Sequence, residues 1–220
     1  MTLRILNGQM TNKERIEKII SYFDEILPSA HCELNYSKPY ELVIAVMLSA
    51  QTTDKSVNRV TEILFSKYPS LEALANCSFE EVFEIIKTLG LAKTKAQNVI
   101  KIAKMLIEQY DSNVPNSQEE LMKLPGVGRK TSNVVRGELY NEPVIAVDTH
   151  VERVSKRLYL AATNDTPLDV ELKLLKLVSK ERRVLFHHQM IHFGRYHCIS
   201  QRPKCEECKL KDICRHYSKR

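Results

Sequence analysis

Two stretches of this 220-residue chain carry residue types that could do chemistry: Pro125-Gly126-Val127-Gly128-Arg129-Lys130 and four cysteines close to the C-terminus. Two of the chain's six glycines fall in the first stretch. Glycine admits backbone conformations closed to other residues and lets another backbone approach closely. Leu121–Leu124 before the glycines and Arg129–Thr131 after them read as helix, tight turn, helix. Free N–H groups opening the second helix form an anion site, reinforced by the helix dipole. A DNA phosphate fits such a site without base readout, which makes Gly126, Val127, Gly128, Arg129 and Thr131 candidate DNA contacts. Val127 is expected to pack inward between the two helices. A bare Gly-x-Gly would suit a plain corner of a helical core. Here the proline, both glycines, the flanking apolar positions and Arg129-Lys130 coincide, which favours a DNA-binding hairpin.

Lys130 falls in the first turn of the second helix. Positive charge is disfavoured there, so the site favours a neutral amine, a nucleophile able to form a Schiff base. A lysine that only touches phosphate is the plainer alternative. Further on, Val144-Ile145-Ala146-Val147 leads into Asp148-Thr149-His150. Asp148 makes a good N-cap. Capping is compatible with catalysis, since a capping carboxylate is rigid and ionised and could take a proton from Lys130 or stabilise a cationic sugar.

The second stretch is Cys198-x6-Cys205-x2-Cys208-x5-Cys214. Four thiolates suit a tetrahedral Zn²⁺ or a cubane iron–sulfur cluster, and spacing alone leaves both open. Arg202 and Lys204 lie between the first two cysteines, and residues 198–220 hold seven Lys/Arg against three Asp/Glu. A metal-staked loop presenting these cations would grip phosphates. Cys32 and Cys77 stand alone and read as small buried hydrophobes. His187, His188, His192 and His197 are read as structural or DNA-proximal, because no H-E-x-x-H arrangement completes a hydrolytic zinc site.

The elements that must hold these groups are helical throughout. Thr11 and Glu14 form a capping box ahead of Ile16, Ile19, Phe23 and Ile26, with Pro28 closing that helix. Pro39 opens a run, Leu42–Leu48, that is apolar all round and therefore central and buried. Val57, Val60 and Leu64 mark another helix. Ser78 and Glu81 cap the next, with Gly90 expected to stop it in the left-handed conformation. Further helices are predicted from about Lys93, over 117–124, over 129–140, 149–158, 168–179 and 182–193. No alternating strand pair is found, so the fold class is all-α. The chain carries a formal net charge of +6, is 43% hydrophobic and 27% charged, and has no apolar run long enough for a bilayer. Met1–Asn7 lacks the apolar stretch of a signal peptide. A cytosolic chain facing a polyanion is expected, and in a reducing compartment four clustered cysteines argue for metal over disulfides.

Taken together, these features resemble the helix–hairpin–helix DNA glycosylase superfamily, and within it the endonuclease III family, from about Ile16 to Cys214. The carrying motifs are Leu48-Ser49-Ala50-Gln51-Thr52-Thr53-Asp54, Ile86–Leu91, Leu124–Thr131, Val147–Arg153, Gly194–Cys198 and the four cysteines. The resemblance implies two helical domains with the active site in the cleft between them. A six-helix barrel domain with the hairpin covers 32–142, and a cluster domain covers 143–220, joined by an N-terminal helix within 1–31. It implies that Cys198, Cys205, Cys208 and Cys214 hold a structural [4Fe–4S] cluster. It implies base flipping, with Gln51 filling the vacated space, Leu91 wedging the opposite strand, and His150 and Arg153 among the DNA contacts. Lys130 would attack C1′, Asp148 would assist, and β-elimination would cut the strand 3′ to the lesion. The partner is double-stranded DNA with oxidised pyrimidines or abasic sites, met by a monomer in the cytoplasm. Ala92 departs from the aromatic residue often found after the Gly-Leu pair. An adenine-removing mismatch glycosylase shares the fold but typically lacks the lysine and carries a further C-terminal domain. A non-catalytic cluster protein would not need both Lys130 and Asp148. Iron and acid-labile sulfide in equal amounts, with a visible cluster spectrum, are expected in anaerobically purified protein. Stoichiometric zinc without iron would overturn the cluster.

Overall fold

The computed structural model describes residues 10–219, and among them every regular element is helical. The Met1–Asn7 reading lies outside the described residues. The chain divides into two compact units, one formed by the chain up to His31 together with Glu142 onward, the other by Cys32–Asn141. No helix among the described residues is long and apolar enough to cross a membrane.

The unit at 32–141 holds α2 (Pro39–Leu48), α3 (Asp54–Lys67), α4 (Leu71–Asn76), α5 (Phe79–Ile86), α6 (Ala92–Tyr110), α7 (Gln118–Leu121) and α8 (Arg129–Tyr140), following α1 (Asn12–Ile26) in the other unit. Every residue of α2 from Tyr40 to Leu48 is buried, as expected of a helix apolar on all sides. It packs against α3, α6 and α8. α6 lays its stripe of Ala96, Val99, Ile102, Ala103 and Leu106 against α4 and α5. Six-residue α4 is not foreseen by periodicity, being too short to show one, although Ser70 caps it through a bond from Ala73 N–H.

In the other unit, Thr11 and Glu14 make the expected reciprocal cap of α1, at 3.2 Å and 2.8 Å. Such a cap contributes about 1 kcal/mol. α9 (Thr149–Arg157), α10 (Pro167–Leu177) and α11 (Arg183–His192) complete this unit. α11 runs without a break into a π turn, Phe193–His197, and both pack on α9. Phe23 is the hub of the core, its ring centroid 4.9 Å from Phe193 and 5.9 Å from Phe186. His187 and His188 are buried against each other, while the His192 ring bonds to the His31 carbonyl.

One local expectation is corrected. Gly90 does not stop α5 in the left-handed conformation, because α5 already ends at Ile86 and turns through Lys87. Leu91 takes that conformation instead, at φ 61 and ψ 29, as the residue opening α6. A side chain there costs roughly 1–2 kcal/mol, so the surrounding packing must impose it.

Candidate nucleic-acid interface and active site

The hairpin is built on glycine of necessity. Gly126 has φ +78, and a Cβ on it would stand 2.6 Å from Asn98 Nδ2 on α6 and 3.0 Å from Met47 Cγ on α2. The turn is thus pressed onto two helices with no room for a side chain. Val127 is 5% exposed and its N–H bonds to the Leu124 carbonyl at 3.1 Å, so it packs inward as expected. Gly128 differs, since nothing lies within 4 Å of a Cβ placed there and its φ of −97 suits any residue. The space beside Gly128 is open to a ligand rather than filled by protein.

Helix starts in this chain are mostly covered. Thr53, Ser70, Ser78, Ser117, Asp148 and Thr166 each accept a first-turn N–H with their side chain. Leu91 before α6 and Gly128 before α8 offer no such cap. A start without a side-chain cap is one where a ligand can meet first-turn donors and the positive dipole end. Arg129 is exposed and its Nη1 donates to Gln118 Oε1 at 3.2 Å. Thr131 is half-buried in the first turn.

Lys130 is the second residue of α8 and is half-buried. Its charge is felt by Cys32, but burial dominates that thiol and pushes it up to about 12. Burial thus disfavours a thiolate at Cys32.

Gln51 and Leu91 share an unusual property. Both are non-glycine residues with positive φ, 56 and 61, and both are exposed, Leu91 to 60%. Their loops run together, since a Cβ on Gly90 would sit 3.8 Å from the Gln51 carbonyl oxygen. Backbone strain of this kind persists only where surrounding structure over-determines it.

In the other unit, Asp148 Oδ1 accepts from His150 N–H at 2.9 Å and Val151 N–H at 2.8 Å. Both cap bonds use one oxygen, so Oδ2 takes no part in the cap. His150 Nδ1 lies 3.1 Å from Arg153 Nη2. A guanidinium only donates, so Nδ1 accepts. Burial also pushes the imidazole below its usual range, against the pull of the Asp148 charge. Arg153 further donates to the carbonyls of Cys198 and Gly194 at 3.2 Å and 2.7 Å. Most of its donors are held by protein, and they fasten α9 to the π turn. Gly194 makes that approach possible, because a Cβ there would stand 2.8 Å from His150 Cβ.

Cys198, Cys205 and Cys214 are buried and Cys208 half-buried, and all four line one cavity with Leu158 and Tyr217. Among the described residues no three metal-ligating side chains converge on a single ion. One Zn²⁺ draws its thiolates to about 2.3 Å, whereas a cubane gives each thiolate its own iron and holds them apart. Four thiols lining one cavity are a donor set that suits either centre. Arg157 braces this segment, donating to Cys198 O and Sγ, Ile199 O and Ser200 O at 2.8–3.2 Å. Arg202 and Lys204 are exposed on the loop between the first two cysteines, Arg202 at φ 51.

Comparison with known proteins accords with these features. Residues 44–180 match the model of the HhH-GPD superfamily of base excision DNA repair proteins. Endonuclease III of Bacillus subtilis is 50% identical over 211 residues, 96% of each chain, and that of Escherichia coli K12 is 43% identical over 208 residues, 94% of this chain and 98% of the other. The chain belongs to the endonuclease III family. A solved structure of a trapped endonuclease III–DNA covalent intermediate, an estranged-adenine complex, superposes with TM-score 0.92 at 48% identity, covering 96% of this chain and 99% of that one. A thermostable thymine-DNA glycosylase shares the fold, with TM-score 0.83 at 22% identity. The chain is a base excision repair glycosylase with lyase activity.

Sequence reading passes over Lys95, a charged residue on the buried stripe of α6, and over Asn98, which backs the hairpin. The signal for Lys95 was its place within the apolar period. Two glycine substitutions separate packing from ligand approach. Gly194→Ala is expected to cost roughly 1–3 kcal/mol in calorimetric unfolding by overpacking. Gly128→Ala should leave stability within about 0.5 kcal/mol, yet weaken DNA binding in a titration, because a Cβ would enter the open space that the hairpin reading assigns to a phosphate. Wild-type DNA affinity in Gly128→Ala would remove the hairpin from the interface.

Proposed function

We propose that the chain removes oxidised pyrimidines from duplex DNA through a Schiff base on Lys130 and then cuts the strand 3′ to the abasic site. The observation that carries this reading is Lys130 in the first turn of α8, directly behind a hairpin whose Gly128 is open to a ligand. The hairpin's backbone donors, with Arg129 and Thr131, grip a phosphate and set the distance from the strand to the amine. Gln51 and Leu91 enter the duplex, the first filling the place of the flipped nucleotide and the second wedging the facing strand. His150, Arg153, Arg202 and Lys204 complete the footprint from the unit at 142–220, Arg153 chiefly by fixing the backbone around it.

The Lys130 amine attacks C1′, and the C1′–N bond to the damaged base breaks with its electron pair going to the base. The released base anion takes a proton from solvent, and loss of an amine proton with opening of the ring, the C1′–O4′ pair and a proton going to O4′, leaves an iminium between Nζ and C1′. Asp148 Oδ2, outside the cap, takes the proton and stabilises positive charge on the sugar. Removal of a C2′ proton then expels the 3′ phosphate, and water hydrolyses the imine to release the enzyme. The residues around the cysteine cavity fit a [4Fe–4S] cluster held by Cys198, Cys205, Cys208 and Cys214. That group, when bound, supplies a rigid cross-link for the loop carrying Arg202 and Lys204. In this reading residues 32–142 are the barrel domain, and 1–31 with 143–220 form the cluster domain of a cytoplasmic monomer working on DNA.

Borohydride reduction should trap wild-type protein on duplexes containing an oxidised pyrimidine, and Lys130→Ala should not trap. Asp148→Asn keeps a capping residue, so its unfolding transition should barely move while single-turnover excision slows roughly 100-fold or more. Trapping by Lys130→Ala at the wild-type level would refute the assignment of the nucleophile.

A further inference from the structure

Lys95 is 3% exposed, and its Nζ donates to the Ala50 carbonyl at 2.7 Å and to Thr52 Oγ1 at 3.2 Å. These two residues flank Gln51. One turn earlier on the same helix stands Leu91, whose carbonyl accepts the Lys95 N–H at 3.0 Å. A single residue therefore holds the turn around Gln51 with its side chain and the start of α6 with its backbone. Thr52 Oγ1 also bonds back to the Ala50 carbonyl, and Thr52 N–H to the Ser49 carbonyl, so the turn has little freedom of its own.

Stability alone is a poor reason for this lysine. Its two acceptors are a carbonyl and a hydroxyl, each neutral. Burying an ammonium on such partners costs more than placing an apolar residue on the same stripe. The burial correspondingly pushes the Lys95 amine below its usual range. What the charge provides is a strong, directional bond on backbone that would otherwise relax out of the left-handed region.

We propose that Lys95 is a positioning residue for strand invasion, latching the Ala50–Thr52 turn to the start of α6 so that Gln51 and Leu91 enter the duplex as one rigid pair. This rests on the reading of Gln51 and Leu91 as duplex-entering residues. The latch acts before the chemistry at Lys130 and is needed only where a base must be extruded from a stack. An abasic site in single-stranded DNA presents nothing to extrude, so it reports Lys130 chemistry without the latch.

The experiment compares wild type, Lys95→Met, Thr52→Val, Gln51→Ala and the Lys95→Met/Gln51→Ala double variant. Single-turnover excision of thymine glycol from a duplex is measured beside borohydride trapping on single-stranded abasic DNA. Lys95→Met should slow duplex excision by roughly tenfold or more, the worth of a lost charge-assisted hydrogen bond, and change single-stranded trapping by less than about twofold. Thr52→Val, which removes one acceptor and keeps the shape, should give a smaller loss of the same kind. In the Gln51→Ala background Lys95→Met should add less than about twofold, since the pair acts as a unit. Equal losses on both substrates, or a full additional loss in the Gln51→Ala background, would make Lys95 a general fold residue and overturn the latch. Wild-type duplex excision in both Lys95→Met and Thr52→Val, with Gln51→Ala slow, would overturn the latch alone. Wild-type excision in Gln51→Ala would instead bring down the duplex-entry reading, and the latch with it.

Discussion

The position of Lys130 depends on a left-handed turn at Gly126 that is pressed against side chains of α2 and α6. Gly126 combines a left-handed φ with a site where Asn98 and Met47 leave no room for a Cβ. The two conditions act together, because the left-handed turn folds the chain back sharply enough to meet α2 and α6. With Val127 then buried and its N–H spent on the Leu124 carbonyl, the direction in which α8 leaves is settled. Lys130 inherits that direction as the second residue of the helix. The placing of the amine proposed as nucleophile is thus borrowed from core packing.

α6 ties Leu91 and the Gln51 turn to the same frame. Within two turns it bears Leu91 at its start, Lys95 on the Gln51 turn and Asn98 behind the hairpin. Its buried stripe from Ala96 to Leu106 is packed on α4 and α5. Strain at Gln51 and Leu91 is set against this packing. Local strain of order 1–3 kcal/mol at each such residue is tolerable only where the scaffold is rigid. In the other unit the same economy recurs on α9. Its first turn is held by the Asp148 cap on the His150 and Val151 N–H groups, its middle by Arg153 on the π turn, and its last residue, Arg157, grips the chain around Cys198.

Most of this was legible in the residues wherever the cause is local. Capping by Thr11, Ser78 and Ser117, the proline opening α2, and the all-round apolar run of α2 are short-range signals, and each helix forms where they point. The cysteine spacing marked a metal site but left its identity open, because thiolate type suits zinc and iron alike. The left-handed residues could not be read, since Gln51 and Leu91 are forced by tertiary contact and a sequence rule assigns that conformation to Gly90. Lys95 was passed over for a related reason. A lone lysine on an apolar stripe looks like a snorkelling surface residue until the backbone it reaches is known. The π turn is likewise a product of packing on α9, where Gly194 permits an approach that no local propensity announces.

The claim on which the rest stands is that Lys130 forms the bond to the sugar. It is tested most directly by reducing the enzyme–DNA intermediate with borohydride, digesting protein and DNA, and locating the deoxyribose remnant by mass spectrometry. The remnant is expected on the peptide containing Lys130, with fragment ions placing it on that side chain. A remnant on Lys123, on Lys95 or on the N-terminal amine, with Lys130 unmodified, would contradict it.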